Sequence, residues 1–278
     1  MSASTRTVAR AGFDLHYRVQ GTGPPVAILA GGPGFDCDYM EPVASELAKT
    51  HQAILVELRG TGRSLPQQIN RETINVRATL ADLDAIREQI DVERWIVAGH
   101  SAGAVLALVY AIRYPKRIAS LILMNSGPIR YASAAIEMDN VMKRLTEQER
   151  DAFHNAPHDD FGRMLEIILP GYFFDRAKIR EVAPQLTPEK YHAEAARLLN
   201  TDIIPPDSDY RPALKGFSRP VLVIAGREDP LDATVQNEIH SAFENSTLHL
   251  VENCGHFPWI EQPDEFYRSV RKFLAAAR

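Results

Sequence analysis

The sequence predicts an α/β fold: a mostly parallel central sheet flanked by helices and interrupted by a helical insertion. Three observations carry this prediction. Largely apolar runs of strand length at residues 26–30, 53–56, 118–124 and 220–225 alternate with amphipathic helical patterns. Several of these runs end directly in glycine-rich or sharply turning loops. Between residues 128 and 215 the alternation stops, and only polar helical patterns occur. Strands separated by helices are joined as crossovers, which makes them parallel neighbours in one sheet.

Residues 13–19 alternate Phe13, Leu15, Tyr17 and Val19 with polar residues, the pattern of a strand with one solvated face. Residues 21–24 form a turn. The run 26–30 reads as a strand covered on both faces, and it ends in Gly31-Gly32-Pro33-Gly34. A helix is expected over 40–49, with Val43, Leu47 and Ala48 on one face. The strand 53–56 leads into Arg59-Gly60-Thr61-Gly62-Arg63-Ser64. Leu80, Leu83, Ile86 and Ile90 place a helix within 74–90. Residues 94–98 form a strand that runs into Gly99-His100-Ser101-Ala102-Gly103 and then into helix formers at 104–111. A strand follows at 118–124. In the insertion, helices are expected over 132–146, 161–169 and 188–199, the last with Thr187 as N-cap and Pro188 at its first position. Alternation resumes with strand 220–225, helix 233–243, strand 247–251 and helix 263–277. The expected organisation is therefore a core of residues 1–127 and 216–278 with a helical cap at 128–215.

The whole chain narrows the function classes. It has 278 residues, a formal net charge of −5 and 45% hydrophobic residues. A mildly acidic chain without a Lys/Arg cluster has no electrostatic footprint for nucleic acid or anionic membrane. No apolar run approaches the roughly 20 residues needed to span a bilayer. Residues 1–11 are polar, and Pro24-Pro25 interrupts before a long apolar segment can form, so no signal peptide is expected. Cys37 and Cys254 form no metal pattern, and two thiols in a chain of this length suggest a reducing, cytoplasmic compartment. The expected partner is a small-molecule substrate. Nothing in the sequence specifies an oligomeric state.

In open parallel sheets, ligands bind beyond the carboxyl ends of the strands. That rule gathers four loops on one edge: residues 31–34, 99–103, 226–230 and 253–257. The strand, turn and helix around Ser101 have the pattern of a nucleophile elbow, in which small residues flank a strained serine. A serine hydroxyl needs an adjacent base, and His256 supplies one from the last of these loops. His51 lies at the opposite strand end and His16 lies mid-strand. His154, His158 and His192 fall in the insertion, and His100 is placed to pack beside the serine. The imidazole needs a carboxylate to fix its tautomer. Asp229, followed by Pro230, fits better than its neighbour Glu228, and Asn125 after the 118–124 strand cannot carry the charge. An oxyanion would meet the N–H groups of Ala102 and Gly32, since Pro33 has none. A phosphate cradle at 31–34 would need Gly-Lys-Ser/Thr at the next helix start, and that is missing.

With these loops in the order Ser, Asp, His, the chain resembles the α/β-hydrolase superfamily over essentially its whole length. Gly31-Gly32-Pro33-Gly34, the 59–64 loop and Pro170-Gly171-Tyr172-Phe173-Phe174-Asp175 are similar to the proline iminopeptidase-like branch. The resemblance implies a serine hydrolase with a Ser101-His256-Asp229 triad, an oxyanion hole at Gly32 and Ala102, a helical cap and no cofactor or metal. Tyr172 and Phe173 are candidate substrate-binding residues in the cap, with an aromatic packing core as the other reading. The chain departs from that branch at Ala30, where histidine is usual, and at its elbow, where Gly-Gly-Ser-Trp-Gly is typical. Members of the branch hold a free amine with cap glutamates, for which Glu137, Glu166, Glu181 and Glu194 are candidates. The expected activity is cleavage of a small ester, lactone or amide through an acyl-enzyme. The alternatives are an iminopeptidase-type aminopeptidase, a slow or non-catalytic ligand receptor on the same fold, and an acyltransferase. Arg59 and Arg63 read as structural ion-pairing residues, and Cys37, Cys254, Trp95 and Trp259 as packing residues.

Overall fold

The computed structural model describes residues 3–134, 136–157 and 161–277. Eight strands form one sheet: β1 (Ser4–Arg10), β2 (Phe13–Gln20), β3 (Pro25–Leu29), β4 (Gln52–Val56), β5 (Trp95–His100), β6 (Ile118–Met124), β7 (Val221–Gly226) and β8 (Ser246–Val251). Their order is β1-β2-β4-β3-β5-β6-β7-β8. The pairs from β4–β3 to β7–β8 are parallel, and β1–β2 and β2–β4 are antiparallel. The strand β1 lies within the polar residues 1–11, where no element is expected from the sequence. Its side chains are mostly exposed, so no apolar alternation announces it. It forms because the turn at Gly12 (φ +81°) folds it back onto β2 in seven-residue register.

Strand side chains alternate between two apolar layers, as the pleat requires. On β3, Ala27 and Leu29 join one layer and Val26 and Ile28 the other. Helices cover both. After β3 comes α1 (Glu41–Leu47), after β4 α2 (Val76–Gln89) and after β5 α3 (Ala102–Arg113). Asn75 caps α2 by accepting the N–H of Ala78 at 2.8 Å.

Among the described residues between β6 and β7, those of 131–214 form short helices joined by turns and irregular stretches. They include α4 (Ile136–Arg144), α5 (Glu147–Asn155), α6 (Phe161–Ile168), α7 (Ile179–Val182), α8 (Ala193–Ile203) and α9 (Arg211–Leu214). Two expectations are corrected here. Where a helix was expected over 132–146, a 3-10 turn (Tyr131–Ser133) precedes α4, and α5, which no expectation covered, starts beyond that span with a capping box between Thr146 and Glu149. The helix expected over 188–199 starts later. Pro188–Lys190 forms one 3-10 turn without a Thr187 side-chain cap, and α8 begins at Ala193 with His192 as its cap. The intervening residues are held extended: His192 N–H donates to Gly34 O at 2.8 Å, and Phe35 bridges Tyr191. After β7 come α10 (Asp232–Ala242), and after β8 α11 (Pro258–Glu261) and α12 (Pro263–Ala276). No helix among the described residues is long and apolar enough to cross a membrane.

Arg59 and Arg63 pair within the fold. Arg59 grips Asp82 on α2 with two hydrogen bonds of 2.8 and 2.7 Å, and Arg10 of β1 adds a third at 2.7 Å. Arg63 pairs with Glu57. Asp82 is 2% exposed. Removing one partner from such a cluster leaves buried charge uncompensated, so Asp82→Ala is expected to destabilise the chain by about 3–5 kcal/mol. A urea denaturation midpoint that falls with an unchanged slope would record it; an unmoved midpoint would contradict it.

Candidate active site

The site is built where β5 meets α3. Gly99 and Gly103 face each other so closely that a Cβ on Gly99 would lie 2.2 Å from Gly103 O. A Cβ on Gly103 would lie 2.4 Å from Ala30 O. Only glycines allow the strand, the turn and the first turn of α3 to pack this tightly. The turn places Ser101 at φ +54°, ψ −123°, a conformation that costs a non-glycine residue of order 1–3 kcal/mol. The surrounding sheet and helix hold it there. Ser101 sits at the N-terminus of α3, and Ala102 is the helix's first residue, whose N–H has no intrahelical partner.

The β3 loop approaches from the other side. Gly32 adopts φ +55°. The N–H of Gly31 donates to the Tyr39 hydroxyl, and Tyr39 reaches His100 Nδ1 at 2.9 Å. His100 Nε2 lies 3.0 Å from the backbone oxygen of His256. A carbonyl only accepts, so Nε2 carries the proton, and Nδ1 accepts from Tyr39. Burial and the neighbouring His256 hold the His100 pKa well below its ordinary value, so this imidazole is neutral. His100 therefore links three loops through a single tautomer, with both of its nitrogens occupied.

His256 follows β8 and is 5% exposed. Its Nδ1 lies 2.9 and 3.1 Å from the two carboxylate oxygens of Asp229, which follows β7 and is 2% exposed. Asp229 also accepts the N–H of Leu231 at 2.9 Å and a donor from the Asn125 side chain. The other candidate carboxylate, Glu228, instead accepts the Cys254 N–H at 2.9 Å. Asn125, at the end of β6 with φ +44°, also donates to Gly255 O at 3.1 Å. It thus orients both the acid and the histidine loop. Burial opposes a charged imidazole at His256, but the charge and hydrogen bond of Asp229, with Glu137 and Glu261 further off, outweigh it. The His256 pKa is raised above its ordinary value.

Ser101, Ala102, Gly32 and His256 all line one cavity of about 340 Å³. Most of the rest of its wall is apolar, with Leu165, Ile168, Leu169, Leu186, Ile203 and Ile204 contributed by the insertion. Tyr172 lines it, and its hydroxyl donates to Glu137 at 2.8 Å. Phe173 does not line it; this ring stacks on Phe257 at 4.9 Å and 17°. Of the candidate cap glutamates, only Glu137 reaches the cavity. Burial raises its pKa against the pull of His256 and the Tyr172 hydroxyl. Glu166, Glu181 and Glu194 pair instead with Arg163, Lys178 and Arg197. His154 and His192 lie away from this wall, and His158 falls outside the described residues. Cys37 and Cys254 are buried free thiols, and burial pushes Cys37 up to about 12.

Sequence reasoning passed over Tyr39, the orienting role of Asn125, and Glu261. Each acts through contacts made across more than one element, and none sits in a motif. Among the described residues, no group of three or more His, Cys, Asp or Glu side chains is arranged to hold a metal ion.

Comparison with known proteins places the chain in a family. The chain is 26% identical over 275 residues to the AB hydrolase superfamily protein YclE of Bacillus subtilis (strain 168), covering 95% of this chain and 96% of that protein. It is 27% identical over 293 residues to a proline iminopeptidase of Lactobacillus acidophilus, covering 95% and 96%. An alpha/beta fold family hydrolase from Bacillus anthracis superposes with a TM-score of 0.77 at 23% identity, covering 98% of this chain and 99% of that one. The family model for the alpha/beta hydrolase fold matches residues 24–263, and the chain belongs to that family, as a hydrolase of the alpha/beta hydrolase fold.

Proposed function

We propose that the protein is a serine hydrolase that cleaves a small ester, lactone or amide through an acyl-enzyme. The observation that carries this reading is the convergence on one cavity of a strained serine at a helix N-terminus and a buried histidine held by a buried aspartate. Ser101 Oγ attacks the substrate carbonyl while His256 Nε2 takes its proton. Asp229 keeps the Nδ1–H tautomer and stabilises the imidazolium that forms. The N–H groups of Gly32 and Ala102 receive the developing oxyanion, and one such donor is worth about 3 kcal/mol in the transition state. His256 then protonates the leaving group, and a water activated by the same imidazole releases the acyl group. No step calls for a cofactor. Residues 1–127 and 216–278 act as the catalytic core and 128–215 as the cap that supplies the apolar wall, which favours an apolar acyl group or alcohol.

A second reading is favoured by one observation. Glu137 places a carboxyl in the cavity wall beside Tyr172, as a substrate with a free amine would require, and the relative from Lactobacillus acidophilus is named a proline iminopeptidase. Turnover of aminoacyl naphthylamides in preference to p-nitrophenyl esters and lactones would select it.

The pH profile tests the assignment of the base. His256 must be neutral to accept the serine proton, and its pKa is raised. Activity is therefore lost as pH falls through that raised value, and kcat/KM should have an acid limb above the roughly 6.5 of an unperturbed imidazole. A profile flat through this range would overturn His256 as base.

A further inference from the structure

One buried carboxylate that the proposed reaction does not use ties the insertion to the histidine loop. Glu261 closes α11 and is 7% exposed. Its Oε1 accepts the N–H of Gly255 at 2.8 Å. Its Oε2 accepts the N–H groups of Phe174 at 2.8 Å and Asp175 at 2.9 Å. A single side chain therefore binds the residue before His256 and the two residues after Phe173. The same segments meet directly where the His256 N–H donates to Tyr172 O at 2.8 Å and where Phe173 stacks on Phe257. The fit leaves no slack, because a Cβ on Gly255 would stand 2.2 Å from Tyr172 O.

The chemistry of the junction requires a carboxylate. Three N–H donors converge on two oxygens from opposite sides, and only an ionised carboxyl accepts on both. Charge-assisted bonds of this kind are the strong ones in a low-dielectric setting. An amide in the same place would point N–H groups at N–H groups on one side. Burial raises the Glu261 pKa, and the Asp175, Gly255, Phe174 and Phe257 N–H groups oppose that rise without cancelling it.

We propose that Glu261 is a positioning residue that sets the 172–175 segment of the insertion and the 255–257 segment of the histidine loop in one register. The cavity-wall residue Tyr172 and the base His256 are thereby located together. The catalytic consequence rests on the serine-hydrolase reading; the junction itself does not.

Glu261→Gln in the full chain tests this, with amide hydrogen exchange, ester turnover and circular dichroism as readouts. Exchange should rise together in the peptides covering 172–175 and 255–257. At a temperature where the variant is folded, kcat/KM for a p-nitrophenyl ester should fall about tenfold or more, the scale expected when a reacting group is misplaced. The acid limb should also move to lower pH, since one negative charge near His256 is lost. Asp229 from the β7 loop, Glu137 from α4 and neutral His100 from β5 still face the imidazole. Exchange confined to one segment, or unchanged turnover with an unmoved acid limb, overturns the proposal. If Glu261→Gln does not fold, Glu261→Asp decides: its carboxylate keeps the charge but is one methylene too short to reach both sides. Joint exchange and reduced turnover with the acid limb in place support the proposal, and wild-type behaviour overturns it. Failure of the serine-hydrolase reading looks different. Turnover would then survive Ser101→Ala, and the exchange pattern would still decide the junction.

Discussion

Asp229→Asn should lower kcat about 10⁴-fold and leave the fold intact, because it removes the group that fixes the imidazole tautomer. In the wild-type chain the carboxylate accepts from His256 Nδ1, Leu231 N–H and the Asn125 side chain. An asparagine fits the same space but offers only one oxygen. Leu231 N–H and the Asn125 amide compete for that oxygen, so the amide NH2 is turned toward His256. The imidazole then carries its proton on Nε2, where it faces the serine as a donor and cannot act as base. Asp229 does not line the cavity, so KM should change little. Steady-state kinetics on a short-chain ester checks the split, and a loss confined to KM would contradict this role.

The placement of the candidate site residues was legible because their motifs are local. Residues 99–103 announce a strand-to-helix turn through their small side chains, and the structure explains the need, with Gly99 and Gly103 in backbone contact. The loops carrying Asp229 and His256 follow the neighbouring parallel strands β7 and β8, so the topology of a parallel sheet brought them to one edge. Gly32 was named because Pro33 has no N–H, and Tyr39 adds a second reason by occupying the N–H of Gly31.

What escaped depends on contacts between distant segments. Strand β1 has no apolar face to announce it and exists through its pairing with β2. The start of α8 at Ala193 follows from the bridging of Phe35 and Tyr191, which overrides the proline signal at 188. Phe173 and Tyr172 are adjacent in sequence, yet one ring packs on Phe257 and the other lines the cavity. Periodicity cannot separate them, since that depends on how the 172–175 segment docks against the histidine loop. Asn125 cannot carry the charge of the acid, but its amide spans to both Asp229 and Gly255, a role visible only once β6, β7 and β8 are side by side.

The central claim is that Ser101 is the nucleophile of a turnover cycle. The most direct measurement is multiple-turnover kinetics of Ser101→Ala against wild type on p-nitrophenyl esters, lactones and aminoacyl naphthylamides, with the fold checked by circular dichroism. The variant keeps the cavity, the oxyanion donors and the His256–Asp229 pair, and it loses only the attacking oxygen. Loss of a serine nucleophile from such a unit costs roughly 10⁴–10⁶-fold in kcat, so turnover of whichever substrate the wild type accepts should fall by that order. Undiminished turnover by Ser101→Ala would contradict the account.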